Sequence, residues 1–248
     1  MVFLSTQKVV LLAFLLLSGG IWNHAVLAAD TEKPSILLDP GHTHSKGGAI
    51  SIRGIYEVEY NDRFTARLAE ALRKAGFHVA LTRQPNQAMQ LNQRVELANR
   101  LKPDLFLSLH HDSAQLIYLN KFDLNGMTVY RTKKRISGYS LFVSRENPQF
   151  NDSWLFAQQL GKNLLKIGRQ PTLHHAENIP GENRELLDRK LGIYRFDELV
   201  VLKKTKVPAV LLELGVIVDK DDEAYVSDRI NQEMMIHAIV NAIKTTIK

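Results

Sequence analysis

The chain of 248 residues contains no cysteine. That absence removes disulfides, thiolate nucleophiles, cysteine-type zinc sites and lipid acylation of a processed N-terminal cysteine, and it leaves stability to the hydrophobic core. A metal site here must be built from His, Asp and Glu. Long hydrophobic runs are also missing: the uninterrupted stretch Val9 to Leu17 is too short for a comfortable membrane span. No internal repeat, low-complexity tract or Pro/Ser-rich linker divides the sequence. A net charge of +6 favours an anionic neighbourhood. The basic residues are scattered, apart from Lys133-Lys134-Arg135 and Lys203-Lys204, and no nucleic-acid motif accompanies them, so a solvated basic surface is expected and no nucleic-acid partner.

What is present begins with a targeting pattern. Lys8 precedes the apolar Val9 to Leu17, Ser18-Gly19-Gly20 breaks the run, and Val26-Leu27-Ala28 supplies a cleavage point before Ala29. Residues 1–28 therefore read as a signal peptide, with an uncleaved N-terminal anchor as the alternative. The mature chain, 29–248, is expected to be periplasmic or secreted, with no stable membrane insertion after processing.

The remaining length suits one well-buried α/β domain. Ser35 to Asp39 reads as a buried strand stopped by Pro40-Gly41. A helix from Glu57 to Ala75 carries Phe64, Leu68, Ala71 and Leu72 on one face and ends at Gly76. Phe77 to Thr82 is a second strand. Leu91 to Leu101 is a second helix with Leu91, Val95 and Ala98 as its apolar face, and Asp104 to His110 is a third strand. This βαβαβ order predicts a mainly parallel twisted sheet flanked by helices. From about 112 to 200 a loop-rich insertion is expected, holding a strand at Tyr139 to Arg145 and a helix from Ser153 to Ile167. Regularity returns at Val200-Val201-Leu202. Val207 to Val218 then forms a strongly apolar strand, and a final helix from Asp228 places Ile230, Met234, His237 and Val240 on one face, with His237 as a packing residue.

Four polar residues stand at or just beyond apolar runs: His42, Glu57, His110 and Glu213. Open α/β sheets bind ligands at the carboxyl ends of their strands, which is where His42 and His110 fall. Two imidazoles and a carboxylate suit a catalytic zinc with an open position, and a spare carboxylate suits a general base. Glu57 competes with Glu59 for the ligand role; Asn61, one turn after Glu57, favours the former. Glu213 lies inside Ala209 to Val218, where an unpaired carboxylate is expensive to bury, so it needs a metal, a cation or a mouth at the sheet edge. Gly215 is expected to let the chain turn or approach a substrate.

These stretches resemble the zinc-dependent N-acetylmuramoyl-L-alanine amidases of bacterial walls, the amidase-3 group. The matching segments are Leu37 to His42, Glu57 to Asn61, Leu81-Thr82-Arg83, Leu91 to Arg94 with Ala98-Asn99, Asp104 to His110, and Thr205 to Gly215. The resemblance implies a zinc-exopeptidase-like fold and one zinc ion held by His42, Glu57 and His110. It also implies Glu213 as the catalytic glutamate and, as the scissile bond, the amide between N-acetylmuramic acid and L-alanine of peptidoglycan. The partners would be peptidoglycan or muropeptides, with a protein activator as a further prospect. The same chemistry fits a secreted zinc carboxypeptidase, and a non-catalytic wall-binding module is the alternative from another class. The chain departs from the group's pattern at His111-Asp112, Leu214 and Ile217-Val218-Asp219. His174-His175 offers a second potential metal contact, Glu177 or Glu182 a carboxylate that could reach the zinc, and Arg83, Arg94 and Arg195 are candidates for orienting roles or structural ion pairs.

Overall fold

The computed structural model describes residues 33–247, so the expected signal peptide over 1–28 lies outside the described residues. In chain order the elements are β1 (Ser35–Pro40), α1 (Glu57–Lys74), β2 (His78–Leu81), α2 (Leu91–Leu101), β3 (Leu105–Asp112), β4 (Leu119–Leu124), β5 (Met127–Thr132), β6 (Ser140–Val143), α3 (Phe150–Lys166), β7 (Leu186–Asp188), β8 (Ile193–Arg195), α4 (Val200–Lys204), β9 (Ala209–Val216), α5 (Lys220–Ser227) and α6 (Arg229–Thr246). Seven strands form one mixed sheet in the order β2-β1-β3-β9-β6-β8-β7, and β4 and β5 form a separate hairpin. The pairings from β2 to β9 are parallel, as is β6 with β8; β6 runs antiparallel to β9, and β7 to β8.

Alternation along the central strands explains why they read as unbroken apolar runs. Ile36 and Leu38 of β1, Leu105, Leu107 and Leu109 of β3, and Val210, Leu212 and Leu214 of β9 share a core with residues of α1, α3 and α6. The intervening Leu37, Phe106 and Leu211 join the opposite core with Val95, Ala98, Val201 and Leu202 from α2 and α4. A sheet covered on both faces has no polar side to alternate with.

Two helical faces differ from the sequence expectation. In α2, Val95 and Ala98 are buried but Leu91 is exposed, because it opens onto a cavity described below. In α6 the buried stripe is Met235, Ile236, Ile239, Val240 and Ile243, while Ile230 and His237 face solvent. The buried stripe lies mostly on the opposite side of the helix from the expected face and shares only Val240 with it, since the helix packs on both α1 and α3 and needs a wide apolar stripe. Val200 to Leu202 belongs to a short helix, α4. Between 112 and 200, β6, β7 and β8 extend the central sheet and α3 packs across it, with irregular chain between them.

Among the described residues, no helix is long and apolar enough to cross a membrane.

Candidate metal centre and catalytic cavity

The first turn after β1 carries His42 in a left-handed conformation, φ 59°. That conformation is costly for a residue with a Cβ and persists only where its surroundings over-determine it. Two buried arginines supply that constraint. Arg83 Nε and Arg94 Nη2 both donate to the His42 carbonyl, at 2.9 and 2.7 Å; Arg83 Nη2 reaches the Gly41 carbonyl at 2.9 Å and Arg94 Nη1 the Pro40 carbonyl at 2.8 Å. Each arginine is charge-compensated, Arg94 by Asp39 at 2.5 Å and Arg83 by Asp62 at 2.7 Å. They are structural ion pairs that also hold the turn carrying His42. Arg195, by contrast, is partly exposed, lies outside the lining of the cavity described below and pairs with Asp197 and Glu185.

Glu57 is the first residue of α1. The opening N–H groups of a helix lack intrahelical partners, and here a loop satisfies them: Glu57 N donates to Ala49 O at 2.8 Å and Val58 N to Gly47 O at 3.0 Å. The same loop wraps the Glu57 carboxylate. Oε2 lies 2.9 Å from His42 Nε2 and accepts from Ala49 N at 3.2 Å; Oε1 lies 3.0 Å from His110 Nδ1 and accepts from Asn61 Nδ2 at 3.2 Å and His111 N at 3.3 Å. Burial alone would raise this carboxyl. Hydrogen bonds and charge from His110 and His42 outweigh it and hold Glu57 well below the usual carboxylate range. Glu59, the competing residue, faces solvent beside Arg63.

His42, Glu57 and His110 thus offer one nitrogen or oxygen each, all within 4.8 Å of one another. Ligands on a tetrahedral zinc with bonds of about 2.0–2.1 Å sit roughly 3.3 Å apart, so the donor set and its spacing fit such an ion. Close backbone approach protects the space. A Cβ on Gly41 would stand 2.3 Å from His110 Nε2, and one on Gly48 would stand 2.4 Å from Glu57 Oε2 and 2.8 Å from His42 Nε2. Asn61 locks the arrangement from behind: its Nδ2 also donates to Gly41 O at 3.3 Å, and its Oδ1 accepts from His111 Nδ1 at 2.8 Å. Burial pushes the His111 imidazole down to about 3, so the ring is neutral and can serve as that donor.

Glu213 lies on β9 directly beside His110 on β3, as register partners. Adjacent strands are about 4.8 Å apart and partners share a face, so the carboxylate rises next to the three-residue cluster. Its Oε2 is buried without a hydrogen-bond partner. Burial, reinforced by the charges of Asp112 and Glu57, pushes its carboxyl well above the ordinary value. His42, His110 and Glu213 line one cavity of about 580 Å³, whose wall also includes Leu91, Phe142 and Arg184. Gly215 neither turns the chain nor faces this cavity. A Cβ there would collide with Arg169 Nη2 at 2.5 Å and Asp222 Oδ2 at 2.8 Å, so the glycine makes room for a buried ion pair.

A second polar cluster borders the cavity. Asp112 Oδ2 lies 2.8 Å from His175 Nε2 and 3.4 Å from His174 Nε2, and His175 Nδ1 lies 2.8 Å from Glu182 Oε2. Burial alone would lower the His175 imidazole, but Asp112 and Glu182 lift it to about 9. Glu182 is bonded to His175, Arg184 and Gln115, and Glu177 to Tyr118, so the structure brings neither carboxylate to the His42–Glu57–His110 cluster. The sequence marked Asp112 as a departure from the group's pattern without indicating its partners His174 and His175, and it did not single out Asp39. The signal for Asp39 was its place two residues before the Gly-His turn, opposite two arginines on neighbouring elements.

Comparisons with known proteins agree with this architecture. The family model described as N-acetylmuramoyl-L-alanine amidase matches residues 36–245. The probable cell wall amidase LytH of Staphylococcus epidermidis is 29% identical over 212 residues, covering 85% of this chain and 57% of the relative; LytH of Staphylococcus aureus is 29% identical over 237 residues, covering 92% and 65%. The chain therefore spans less than two thirds of the length of these curated relatives. Among solved structures, the amidase AmiC2 of Nostoc punctiforme superposes with a TM-score of 0.62 at 22% identity, covering 86% of this chain and 97% of that one. Ami1 of Mycobacterium smegmatis gives 0.67 at 19%, with coverages of 86% and 96%. At such identities these likenesses establish the fold. The match across nearly the whole described chain establishes the lineage: this protein belongs to the N-acetylmuramoyl-L-alanine amidase family.

Proposed function

We infer that the chain is a zinc-dependent amidase that hydrolyses the bond between N-acetylmuramic acid and L-alanine of peptidoglycan at the cell envelope. His42, Glu57 and His110 would hold the ion and Glu213 would handle the proton. The observation that carries this reading is the pairing of a cation-ready cluster with a bare carboxylate on the neighbouring strand of one cavity. Zinc bound there would supply Lewis-acid stabilisation of the amide carbonyl and make water more acidic, towards a pKa of about 7.

The protein's own groups do the rest. Glu213 takes a proton from the attacking water and returns it to the departing amine, a shuttle that one well-placed carboxylate can perform. Its raised affinity for protons suits the return step, and a cation beside it would favour the ionised form for the first. Asn61 and His111 keep the Glu57 carboxylate facing His42 and His110. Arg83 and Arg94 keep the His42 turn in its strained conformation, so the imidazole does not have to be reoriented during the reaction. The cavity, about 580 Å³, is within the size range of pockets that hold a small-molecule-sized group.

The family description favours the sugar–peptide amide over a bond within the peptide. Digestion of purified sacculi tests the choice by mass spectrometry. Intact stem peptides with a free L-alanine amine, and unsubstituted glycan, are expected. Shortened stem peptides would instead identify a peptidase, and retention on sacculi with no released product would identify a binding module.

A further inference from the structure

Asp112, His174 and His175 have no part in that hydrolytic scheme, yet they are arranged as a ligand set. One donor atom from each lies within 4.8 Å of the other two. The Nε2 atoms of both imidazoles converge on a single oxygen, Asp112 Oδ2, at 3.4 Å for His174 and 2.8 Å for His175. The rings lie against each other with centroids 3.9 Å apart.

The opposite nitrogens are already engaged. His175 Nδ1 meets Glu182 Oε2 at 2.8 Å, and His174 Nδ1 meets Thr172 Oγ1 at 2.8 Å. With Nδ1 held by Glu182 or Thr172, each ring aims Nε2 at the Asp112 carboxylate, and an ion binding there would displace the proton that His175 Nε2 shares with Asp112; such partners are the usual second layer behind a metal-bound histidine. Glu182 is itself anchored, by Arg184 Nη1 at 2.5 Å and Gln115 Nε2 at 3.2 Å.

The independent sign of a missing ligand is His174 Nε2. It lies 3.4 Å from Asp112 Oδ2 but makes no hydrogen bond, in a residue only 4% exposed. A buried polar nitrogen without a hydrogen bond is costly unless something else binds it. Access is available from two sides. Asp112 and His175 line the main cavity, and His174 lines a neighbouring cavity of about 490 Å³. The bulge in β3 between His110 and Asp112 shifts the register there, a device that re-aims side chains next to functional sites.

We propose that Asp112, His174 and His175 form a second metal site, for a divalent transition-metal cation of the zinc class. Two imidazole nitrogens and one carboxylate oxygen suit that class; calcium and magnesium would call for mostly oxygen donors. The site shares no residue with the cluster at His42, Glu57 and His110, and the proposal stands whether or not that cluster is hydrolytic. Binding there would tie the chain around 172–182 to the end of β3.

The test is a zinc count on the full chain, equilibrated with zinc chloride and freed of loose ion, for wild type, His174→Gln and His42→Ala. Two zinc ions in wild type and one in each variant are expected. A single wild-type zinc that His42→Ala removes and His174→Gln leaves overturns the second site. A single zinc that His174→Gln removes and His42→Ala leaves supports the second site and overturns the first. Anomalous diffraction at the zinc edge on wild-type crystals decides the matter without any variant: a peak beside His174 Nε2 supports the proposal, and its absence from zinc-soaked crystals refutes it.

Discussion

The two walls of the cavity treat their carboxylates in opposite ways. On the wall made by β1, β3 and the start of α1, Glu57 is surrounded by two imidazoles, two backbone N–H groups and an amide, and its affinity for protons is strongly depressed. On the wall made by β9, Glu213 has a partnerless oxygen, and its affinity for protons is raised. Two acids of almost the same intrinsic strength are separated by their surroundings alone. Such a split supports the proposed roles: the saturated carboxylate is suited to hold a cation, and the bare one to exchange a proton.

The harshest way to break that contrast is to remove an imidazole from the saturated wall. His42→Ala or His110→Ala should strip the ion from this cluster and lower turnover by about 10³-fold or more, since metal stabilisation of the transition state is worth several kcal/mol. Release of stem peptides from sacculi checks it. A variant that kept near-wild-type rates would mean the cluster is an ordinary ion-pair network.

Next in size is the support beneath the same wall. Arg94→Met leaves Asp39 buried with its charge unpaired, and the expected loss is about 3–5 kcal/mol of folding stability in a denaturant titration. At the solvent-screened Arg195 pair, Arg195→Ala should shift the unfolding midpoint far less. Equal costs would contradict the clamp.

A milder change sharpens the comparison. Asn61→Leu removes the amide behind Glu57 while keeping the side chain's bulk. Zinc affinity, measured against a competing chelator, should fall about 10–100-fold, as is usual when a ligand's supporting partner is lost.

The smallest effect is the dependence of stability on pH in the chelator-treated protein, and the two carboxylates should bend it in opposite directions. Glu213 is raised above its ordinary value of 4.5, so the folded state binds more protons than the unfolded state as pH climbs from there, and stability falls. Glu57 is depressed, so its contribution is present above 4.5 and is lost as pH drops towards its folded value. Urea unfolding across this range should show Glu213→Gln removing the decline on the neutral side and Glu57→Gln removing the loss on the acid side.

The same division separates what could be read in the sequence from what could not. The β1–α1–β2–α2–β3 half was legible because each strand is a short apolar run covered on both faces, and each helix has a regular stripe ended by Gly76 or Pro103. His42, Glu57, His110 and Glu213 stand at the ends of such runs or inside them, and Asn61 falls one helical turn from Glu57. The three strands β6, β7 and β8 are only three or four residues long, too brief for alternation to identify their place in the sheet. Long-range convergence was equally hidden. That Arg83 and Arg94 would meet on one carbonyl, or that Asp112 would face His174 and His175, depends on packing between distant elements. The face of α6 was misplaced because it packs against two helices, which blurs a single stripe into a wide apolar band.

The account rests most directly on the division of labour between Glu57 and Glu213, and one protein tests it. Glu213→Gln, assayed for zinc content and for stem-peptide release in the same preparation, should retain the wild-type amount of zinc and lose turnover by about 10²–10⁴-fold, the usual contribution of a general base. Wild-type turnover in that variant would contradict the claim.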